Sequence, residues 1–187
     1  MPTDLKQLYN LPEELWAKFA KVKILLSDVD GVLTDGGVYM DGQTEFKRFN
    51  VLDGLGIRML KESGIEVALV SARPSPATTA RAKQLKIEFV SQEPGDKIAF
   101  AEKILRQTGL SWEDTCYIGD DIVDMNVFLK TPLSIAPQNA HPVVRPMVNY
   151  ITQRAGGEGA VREVAELILL AQNRWESHEI LQRCKGK

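Results

Sequence analysis

Short apolar runs alternate with amphipathic helical patterns along most of this 187-residue chain. A run without polar alternation predicts a strand covered on both faces, and apolar residues spaced three and four apart predict a helix. Strands separated by helices build a parallel sheet, because returning to the same edge needs a crossover of helical length. The predicted strands are Val22 to Leu26, Ile65 to Val70, Ile87 to Val90, Thr115 to Ile118, Leu133 to Ala136 and Tyr150 to Ile151.

These patterns predict an α/β fold with three layers, a Rossmann-like parallel sheet with helices on both faces. The length suits a single domain over residues 1–187. The segment 4–20 has helical spacing, and residues 36–49 predict a small β-hairpin around Asp41-Gly42. The tail over residues 175–187 is polar, and we expect it to be mobile. The helices expected between strands are Asp53 to Ser63, Pro76 to Leu85, Asp96 to Thr108, Asp121 to Leu129 and Gly159 to Arg174.

Composition excludes several classes of function. A net charge of -2 and a pI near 5.8 give no overall positive field for nucleic acid or an anionic membrane. No apolar run approaches the ~20 residues of a membrane span, and the N-terminus has no signal pattern, so we expect a cytoplasmic protein. Cys116 and Cys184 lie too far apart for a metal motif, and we expect both thiols to be reduced.

Carboxylates follow two of the predicted strands. Asp28 and Asp30 come directly after the first, Asp120 and Asp121 follow the fourth, and Asp124 comes one helical turn later. Ligands of open α/β sheets bind where the carboxyl ends of strands meet. Converging carboxylates repel one another unless a cation lies among them, and oxygen ligands without His or Cys favour Mg²⁺. A helix N-cap is the alternative for a single Asp, above all Asp121, but it does not account for the set.

Two further residues suit a phosphate site. Ser71 ends another apolar strand, where its hydroxyl and the nearby amides could hold phosphate oxygens, although a plain cap is the simpler explanation. Lys97 opens a helix, where a cation is unfavourable to the helix dipole. We therefore expect Lys97 to serve the site.

The order of these segments carries a resemblance. Asp28-Val-Asp-Gly-Val-Leu-Thr-Asp35, Ser71, Lys97 and Gly119-Asp-Asp-Ile-Val-Asp124 resemble the four ordered motifs of the haloacid dehalogenase superfamily of phosphatases. More narrowly, the chain is similar to the 3-deoxy-D-manno-octulosonate 8-phosphate phosphatases, in all but its N-terminal helix and tail. The segments that carry this narrower likeness are Asp53-Gly-Leu-Gly-Ile57, Arg73-Pro-Ser75 and Gly156-Gly-Glu-Gly-Ala-Val-Arg-Glu163.

The resemblance implies a Mg²⁺-dependent hydrolysis of that sugar-acid phosphate, a step in lipopolysaccharide precursor biosynthesis. Asp28 would be the nucleophile that forms an aspartyl-phosphate, and Asp30 the acid and base. Mg²⁺ would be held by Asp28, the backbone carbonyl of Asp30 and Asp120, with Asp121 and Asp124 around them. Lys97 and Ser71 would bind the transferred phosphoryl oxygens.

The same resemblance implies substrate contacts from Arg73, Ser75, Asp53, Gly54 and Lys97. An Arg can grip the sugar-acid carboxylate through two hydrogen bonds, although a structural salt bridge is the plainer role for Arg73. One position departs from the pattern, since Glu158 stands where a number of relatives carry Lys or Arg. A nine-carbon keto-deoxy sugar-acid phosphate is therefore an alternative substrate. Arg162 either substitutes for the missing cation or pairs with Glu158 or Glu166.

The intervals between the motifs are too short for a cap domain, so a lone subunit would leave its site open. Capless relatives are homotetramers whose hairpins associate, and this resemblance implies the same here. The apolar hairpin residues that suit such contacts are Val38, Tyr39, Met40, Phe46 and Phe49. The alternative is a flap folded back on its own subunit.

Two other classes of protein fit less well. A phospho-accepting receiver domain also clusters aspartates with a Lys, but there the Lys comes last, whereas Lys97 precedes Asp120 here. A catalytically silent oligomeric scaffold remains the second rival. The presence of Asp30 argues against it, since a silent scaffold has no need of an acid at that position.

Overall fold

The computed structural model describes residues 5–175, and six parallel strands form its central sheet. The strand order is β5-β4-β1-β6-β7-β8, so that β1 lies between two strands that follow it much later in the chain. The predicted α/β fold is therefore confirmed. The strands are β1 (Ile24–Ser27), β4 (Glu66–Val70), β5 (Phe89–Ser91), β6 (Thr115–Ile118), β7 (Leu133–Ala136) and β8 (Tyr150–Ile151).

Helices cover both faces of this sheet. Successive strand residues point to opposite faces, so Leu25 packs on one side and Ile24 and Leu26 on the other. The helices α1, α2, α3 and α6 pack on the Leu25 side, and α4 and α5 on the other. They span α1 (Glu13–Lys21), α2 (Val51–Glu62), α3 (Pro76–Gln84), α4 (Lys97–Thr108), α5 (Met125–Lys130) and α6 (Ala160–Ala171).

Local sequence explains where the helices begin and end. The side chains of Asn50, Ser75 and Asp96 cap α2, α3 and α4, each accepting a hydrogen bond from a backbone amide of the first turn. Helix α4 ends at Gly109, whose φ of 68° lies in the left-handed region that glycine adopts without strain. The capped segments match their predicted positions to within two residues.

The N-terminal segment differs from its prediction. One helix over residues 4–20 is wrong: a 3-10 turn, Leu5–Leu8, is separated from α1 by an irregular stretch. Pro12 disfavours helical geometry at the residue before it, and Asn10 has a φ of 42°, so no helix crosses this point. The segment 121–129 likewise divides into a 3-10 turn, Ile122–Asp124, and α5.

The predicted hairpin is confirmed as strands β2 (Tyr39–Asp41) and β3 (Thr44–Phe46), which turn at Gly42. Within residues 5–175, Asp30 and Ser71 are separated by this hairpin, α2 and β4, while Arg73 and Lys97 are separated by α3 and β5. Neither interval contains a cap domain. Apart from Trp175, the predicted tail lies outside the described residues, as does Cys184, whereas Cys116 is buried in the core.

Candidate active site

The carboxyl ends of the central strands bring the predicted residues together. Asp28 follows β1, Ser71 follows β4 and Asp120 follows β6, and β1 pairs with both of the others in parallel. Three carboxylates, those of Asp28, Asp120 and Asp124, each offer an oxygen within 4.8 Å of the other two. The strand-end argument therefore predicted the meeting of Asp28, Asp120 and Asp124, whereas Asp30 and Asp121, which it also included, lie outside this cluster.

Lys97 connects two of these carboxylates. Its Nζ donates to Asp28 Oδ2 and to Asp124 Oδ1, both at 2.7 Å, and all three side chains are buried. Burial opposes the charge of Lys97, but the two carboxylates outweigh it and raise the pKa of its ammonium group. The cation at the start of α4 is thus explained by the site.

Asp124 serves as a rigid support. Its Oδ1 also accepts the hydroxyl of Tyr117, and its Oδ2 accepts the backbone N–H of Asp120 at 2.9 Å and of Asp121 at 3.2 Å. These four donors occupy both oxygens of Asp124, so this side chain holds Lys97 and the loop that carries Asp120 in place. Tyr117 lies within an apolar strand, and only its hydroxyl could have signalled this contact.

Asp121 has the capping role that the sequence left open. Its Oδ1 accepts the backbone N–H of Ile122 at 2.7 Å, at the start of the 3-10 turn. The side chain of Asp121 is exposed, whereas the backbone amide of the same residue helps to hold Asp124. Asp121 therefore contributes to the site through its backbone amide.

The cluster carries excess negative charge. Burial raises the pKa of Asp28 to about 6, with the charge of Lys97 opposing the shift. Burial, then the charges of Asp28 and Asp124, raise the pKa of Asp120 to about 7. Lys97 alone does not balance three carboxylates, so the site is suited to a further cation.

The donor set fits Mg²⁺. Asp28 and Asp120 offer carboxylate oxygens, and hard oxygen ligands suit this ion. Gly31, at φ 83°, lies against Asp120 so closely that a Cβ there would come 2.0 Å from Asp120 Oδ2. Within residues 5–175 the Asp120 carboxylate accepts no hydrogen bond, which leaves its oxygens available to a metal.

Asp30 has a partner that the sequence analysis missed. Lys47, just beyond β3, places its Nζ 2.7 Å from Asp30 Oδ1 and 2.9 Å from Oδ2, with its side chain only 1% exposed. The same ammonium lies 3.4 Å from Thr78 Oγ1. The available signal was the strand alternation of Glu45 and Lys47 on one face with Phe46 on the other.

Arg73 and Ser75 also contact the hairpin. Both donate hydrogen bonds to the carboxylate of Glu45, Ser75 Oγ at 2.8 Å from Oε1 and Arg73 through Nη2 to Oε2. Ser71 is buried, and its hydroxyl accepts the backbone N–H of Arg73 at 3.2 Å. The structure thus places Ser71, Arg73 and Ser75 along one loop, with a hairpin carboxylate on the last two.

Asp53 and Gly54 lie in α2 with structural contacts. Asp53 accepts the backbone N–H of Arg162 at 2.8 Å, and burial raises its pKa to about 6. A Cβ on Gly54 would come 2.4 Å from Arg81 Nη2, so the absence of a side chain makes room for that guanidinium. These contacts do not join either residue to the carboxylate cluster, and a substrate role for them stays a prediction.

The pairing of Glu158 and Arg162 is now defined. Glu158 Oε1 lies 2.7 Å from Arg48 Nη1, whereas Arg162 Nε lies 2.6 Å from Glu166 Oε1 on the same helix. Arg162 therefore takes the helical pairing with Glu166, and a substrate contact from it stays a prediction. Arg48 is a second residue that the sequence analysis did not single out.

The hairpin residues are divided between solvent and core. Val38, Tyr39, Met40 and Phe46 are exposed, Met40 at 66%. Phe49 differs, because it is partly buried against the core and Arg81 lies over its ring. A contact of Phe49 with another subunit stays a prediction. The polar face of the hairpin does fold back on its own subunit, through Glu45 and Lys47.

Comparisons with known proteins agree with this geometry. A family model described as haloacid dehalogenase-like hydrolase matches residues 87–164. The 3-deoxy-D-manno-octulosonate 8-phosphate phosphatase of Yersinia pestis is 41% identical over 165 residues, 88% of each chain. A solved structure of the enzyme of that name from the same organism has a TM-score of 0.88 at 40% identity, covering 90% of this chain and 91% of its own.

A second solved structure includes ligands. It is the 3-deoxy-D-manno-octulosonate 8-phosphate phosphatase of Moraxella catarrhalis in complex with magnesium ion, phosphate ion and KDO, with a TM-score of 0.87 and 35% identity over 95% of this chain and all of that one. Identity at this level over most of the chain establishes kinship. The chain belongs to the 3-deoxy-D-manno-octulosonate 8-phosphate phosphatase family of the haloacid dehalogenase-like hydrolases.

Proposed function

We propose that this protein hydrolyses 3-deoxy-D-manno-octulosonate 8-phosphate to 3-deoxy-D-manno-octulosonate and phosphate, for lipopolysaccharide precursors. The observation that carries the proposal is the buried Asp28–Lys97–Asp124 network beside Asp120. This network supports Asp28 as the nucleophile, Lys97 as the phosphate-binding cation and Asp120 as a metal ligand at one sheet edge. The relatives with this name supply the substrate.

In the first step an Asp28 oxygen attacks phosphorus while the bond from phosphorus to the sugar oxygen breaks. Asp30 gives its proton to that oxygen, so the sugar leaves as an alcohol. Lys97 donates its remaining N–H to a phosphoryl oxygen, and the Ser71 hydroxyl adds a second hydrogen bond. Lys97 already holds Asp28 at 2.7 Å, and this fixes the nucleophile before the substrate binds.

In the second step water attacks the aspartyl-phosphate. Asp30, now a carboxylate, accepts a proton from this water as the bond from phosphorus to Asp28 breaks, and phosphate leaves. Asp28, Asp120 and the backbone carbonyl of Asp30 would hold Mg²⁺. When bound, this ion supplies positive charge that offsets the anionic nucleophile and phosphoryl group.

Phosphate release by the purified protein tests the proposal. We expect turnover of the eight-carbon substrate with Mg²⁺, none with excess chelator, and none from Asp28→Asn, whose side chain keeps the shape but loses the charge. The nine-carbon keto-deoxy sugar-acid 9-phosphate is measured alongside. Position 158 carries Glu, which pairs with Arg48, and so offers no cation to a substrate carboxylate. A higher kcat/KM for the nine-carbon substrate would replace the first assignment, and no turnover of either would refute both.

We further propose a homotetramer in the cytoplasm. The exposed apolar residues of the hairpin support association, since a contiguous apolar patch on a protein surface marks an interaction site. No helix within residues 5–175 has the length and apolar character needed to cross a membrane. Light scattering tests the tetramer, and a monomer at working concentration would contradict it.

A further inference from the structure

Lys47 is a buried cation that the two-step mechanism above does not use. Its side chain is 1% exposed, and an ammonium group is costly to bury without charged partners. Its partner is the Asp30 carboxylate, contacted at both oxygens, at 2.7 and 2.9 Å. Asp30 itself keeps 29% of its side chain exposed, so a leaving group can reach it.

The hairpin places the Lys47 ammonium beside Asp30. Side chains two positions apart share a strand face, so Glu45 and Lys47 both point inward while Phe46 is exposed. A charged inner face and an apolar outer face reverse the usual arrangement of an amphipathic strand. Glu45 fixes the strand against Ser75 and Arg73, and lies 3.8 Å from Lys47 Nζ.

We infer that Lys47 is a positioning residue that holds the Asp30 side chain where it meets the leaving oxygen. The inference rests on the acid and base role proposed for Asp30. A carboxylate on a flexible side chain samples several rotamers, whereas two contacts from a buried ammonium allow one. When one Asp30 oxygen carries the proton, the other still accepts a hydrogen bond from Lys47, so the side chain keeps its orientation in both protonation states.

The test compares a poor with a good leaving group. A sugar alkoxide needs a proton as it leaves, whereas p-nitrophenolate does not. For Lys47→Met we expect kcat/KM for the sugar-acid phosphate to fall about 10²-fold, the lower range for a displaced general acid. With p-nitrophenyl phosphate we expect less than about a threefold loss, because kcat/KM reports only the first step. The inhibition constant of inorganic phosphate should stay unchanged.

Two further variants guard against a folding defect. Lys47→Arg keeps the charge with another geometry, and we expect an intermediate loss for the sugar substrate alone. Lys83→Met, an exposed lysine of α3, is the matched control and should behave as wild type. Equal losses on both substrates for Lys47→Met and Lys47→Arg, or a weaker inhibition by phosphate, would overturn the inference.

Asp30→Asn separates this inference from the function beneath it. If Lys47 acts through Asp30, adding Lys47→Met to Asp30→Asn should cause no further loss of kcat/KM. Additive losses would show that Lys47 acts independently and would refute the positioning role. Wild-type rates in Asp30→Asn would instead refute the acid and base role itself, whereas a slow Asp30→Asn with a fully active Lys47→Met would refute only the inference.

Discussion

Replacing Asp120 with asparagine should stabilise the metal-free protein at alkaline pH. Burial and the neighbouring charges raise the pKa of Asp120 from 3.8 to about 7, so the folded state holds this proton more tightly than the unfolded chain does. The unfolded carboxyl therefore ionises first as pH rises. The free energy of unfolding falls between about pH 4 and pH 7, and the loss is complete above pH 7.

The pKa values set the size of this effect. Each tenfold change in an ionisation constant is 1.36 kcal/mol, so ionised Asp120 destabilises the fold by about 4 kcal/mol. Linkage places about 3 kcal/mol of this between pH 5 and pH 8. In a chain of this size that corresponds to a melting temperature lower by roughly 6–12 °C. Asparagine cannot ionise, so Asp120→Asn should lack this part of the pH dependence.

Urea unfolding at pH 5 and pH 8 with chelator measures the difference. Wild type should lose about 3 kcal/mol more of its free energy of unfolding than Asp120→Asn between the two conditions. Asp114→Asn is the matched control, because Lys23 lowers the pKa of Asp114 to about 2 and that group is ionised at both pH values. Mg²⁺ at pH 8 should stabilise wild type much more than Asp120→Asn. The same pH dependence in both proteins would refute the charge argument.

Three further changes test other parts of the site. Gly31→Ala should reduce kcat/KM at least about 100-fold in a phosphate-release assay, because its Cβ would come 2.0 Å from Asp120 Oδ2. Gly42→Ala is the control, because Gly42 is also at positive φ but a Cβ there meets open space. This control should lower the free energy of unfolding in urea by only about 1 kcal/mol. Arg73→Ala should raise KM for the sugar-acid phosphate about tenfold or more, because Arg73 is expected to bind its carboxylate. KM for p-nitrophenyl phosphate, which has no carboxylate, should stay unchanged. Equal changes of KM for the two substrates would exclude a carboxylate contact. Met40→Glu should shift light scattering toward smaller species, and an unchanged mass would exclude the hairpin as the interface.

Sequence reasoning was most successful where topology alone decides the neighbours. Asp28 and Asp120 follow strands that pair in parallel, so their meeting depends only on the apolar runs before them. Lys97 was found because a cation at a helix start is locally unfavourable. A residue that conflicts with its own helix indicates a partner elsewhere, and Lys97 has two.

The missed residues are those whose contacts depend on how separate elements pack. Lys47 reaches Asp30 only because the hairpin folds back over the sheet edge, and no local pattern determines that direction. Asp53 illustrates the same limit, since its carboxylate meets the start of α6, more than a hundred residues later. Proline explains the one clear error of secondary structure, because apolar spacing over 4–20 continued through a residue that interrupts helices.

The charges at the sheet edge explain why a capless chain needs its hairpin. Lys97 pairs with Asp28, the proposed nucleophile, from the core side, and Lys47 pairs with Asp30 from the hairpin side. Within residues 5–175 Asp120 forms an ion pair with neither lysine, so its oxygens are available to a metal. Each carboxylate thus has a distinct partner, and this lets three acidic groups in one cleft take different roles. Removing the hairpin would take away a charge as well as a cover, so its short strands contribute to the chemistry of their own subunit.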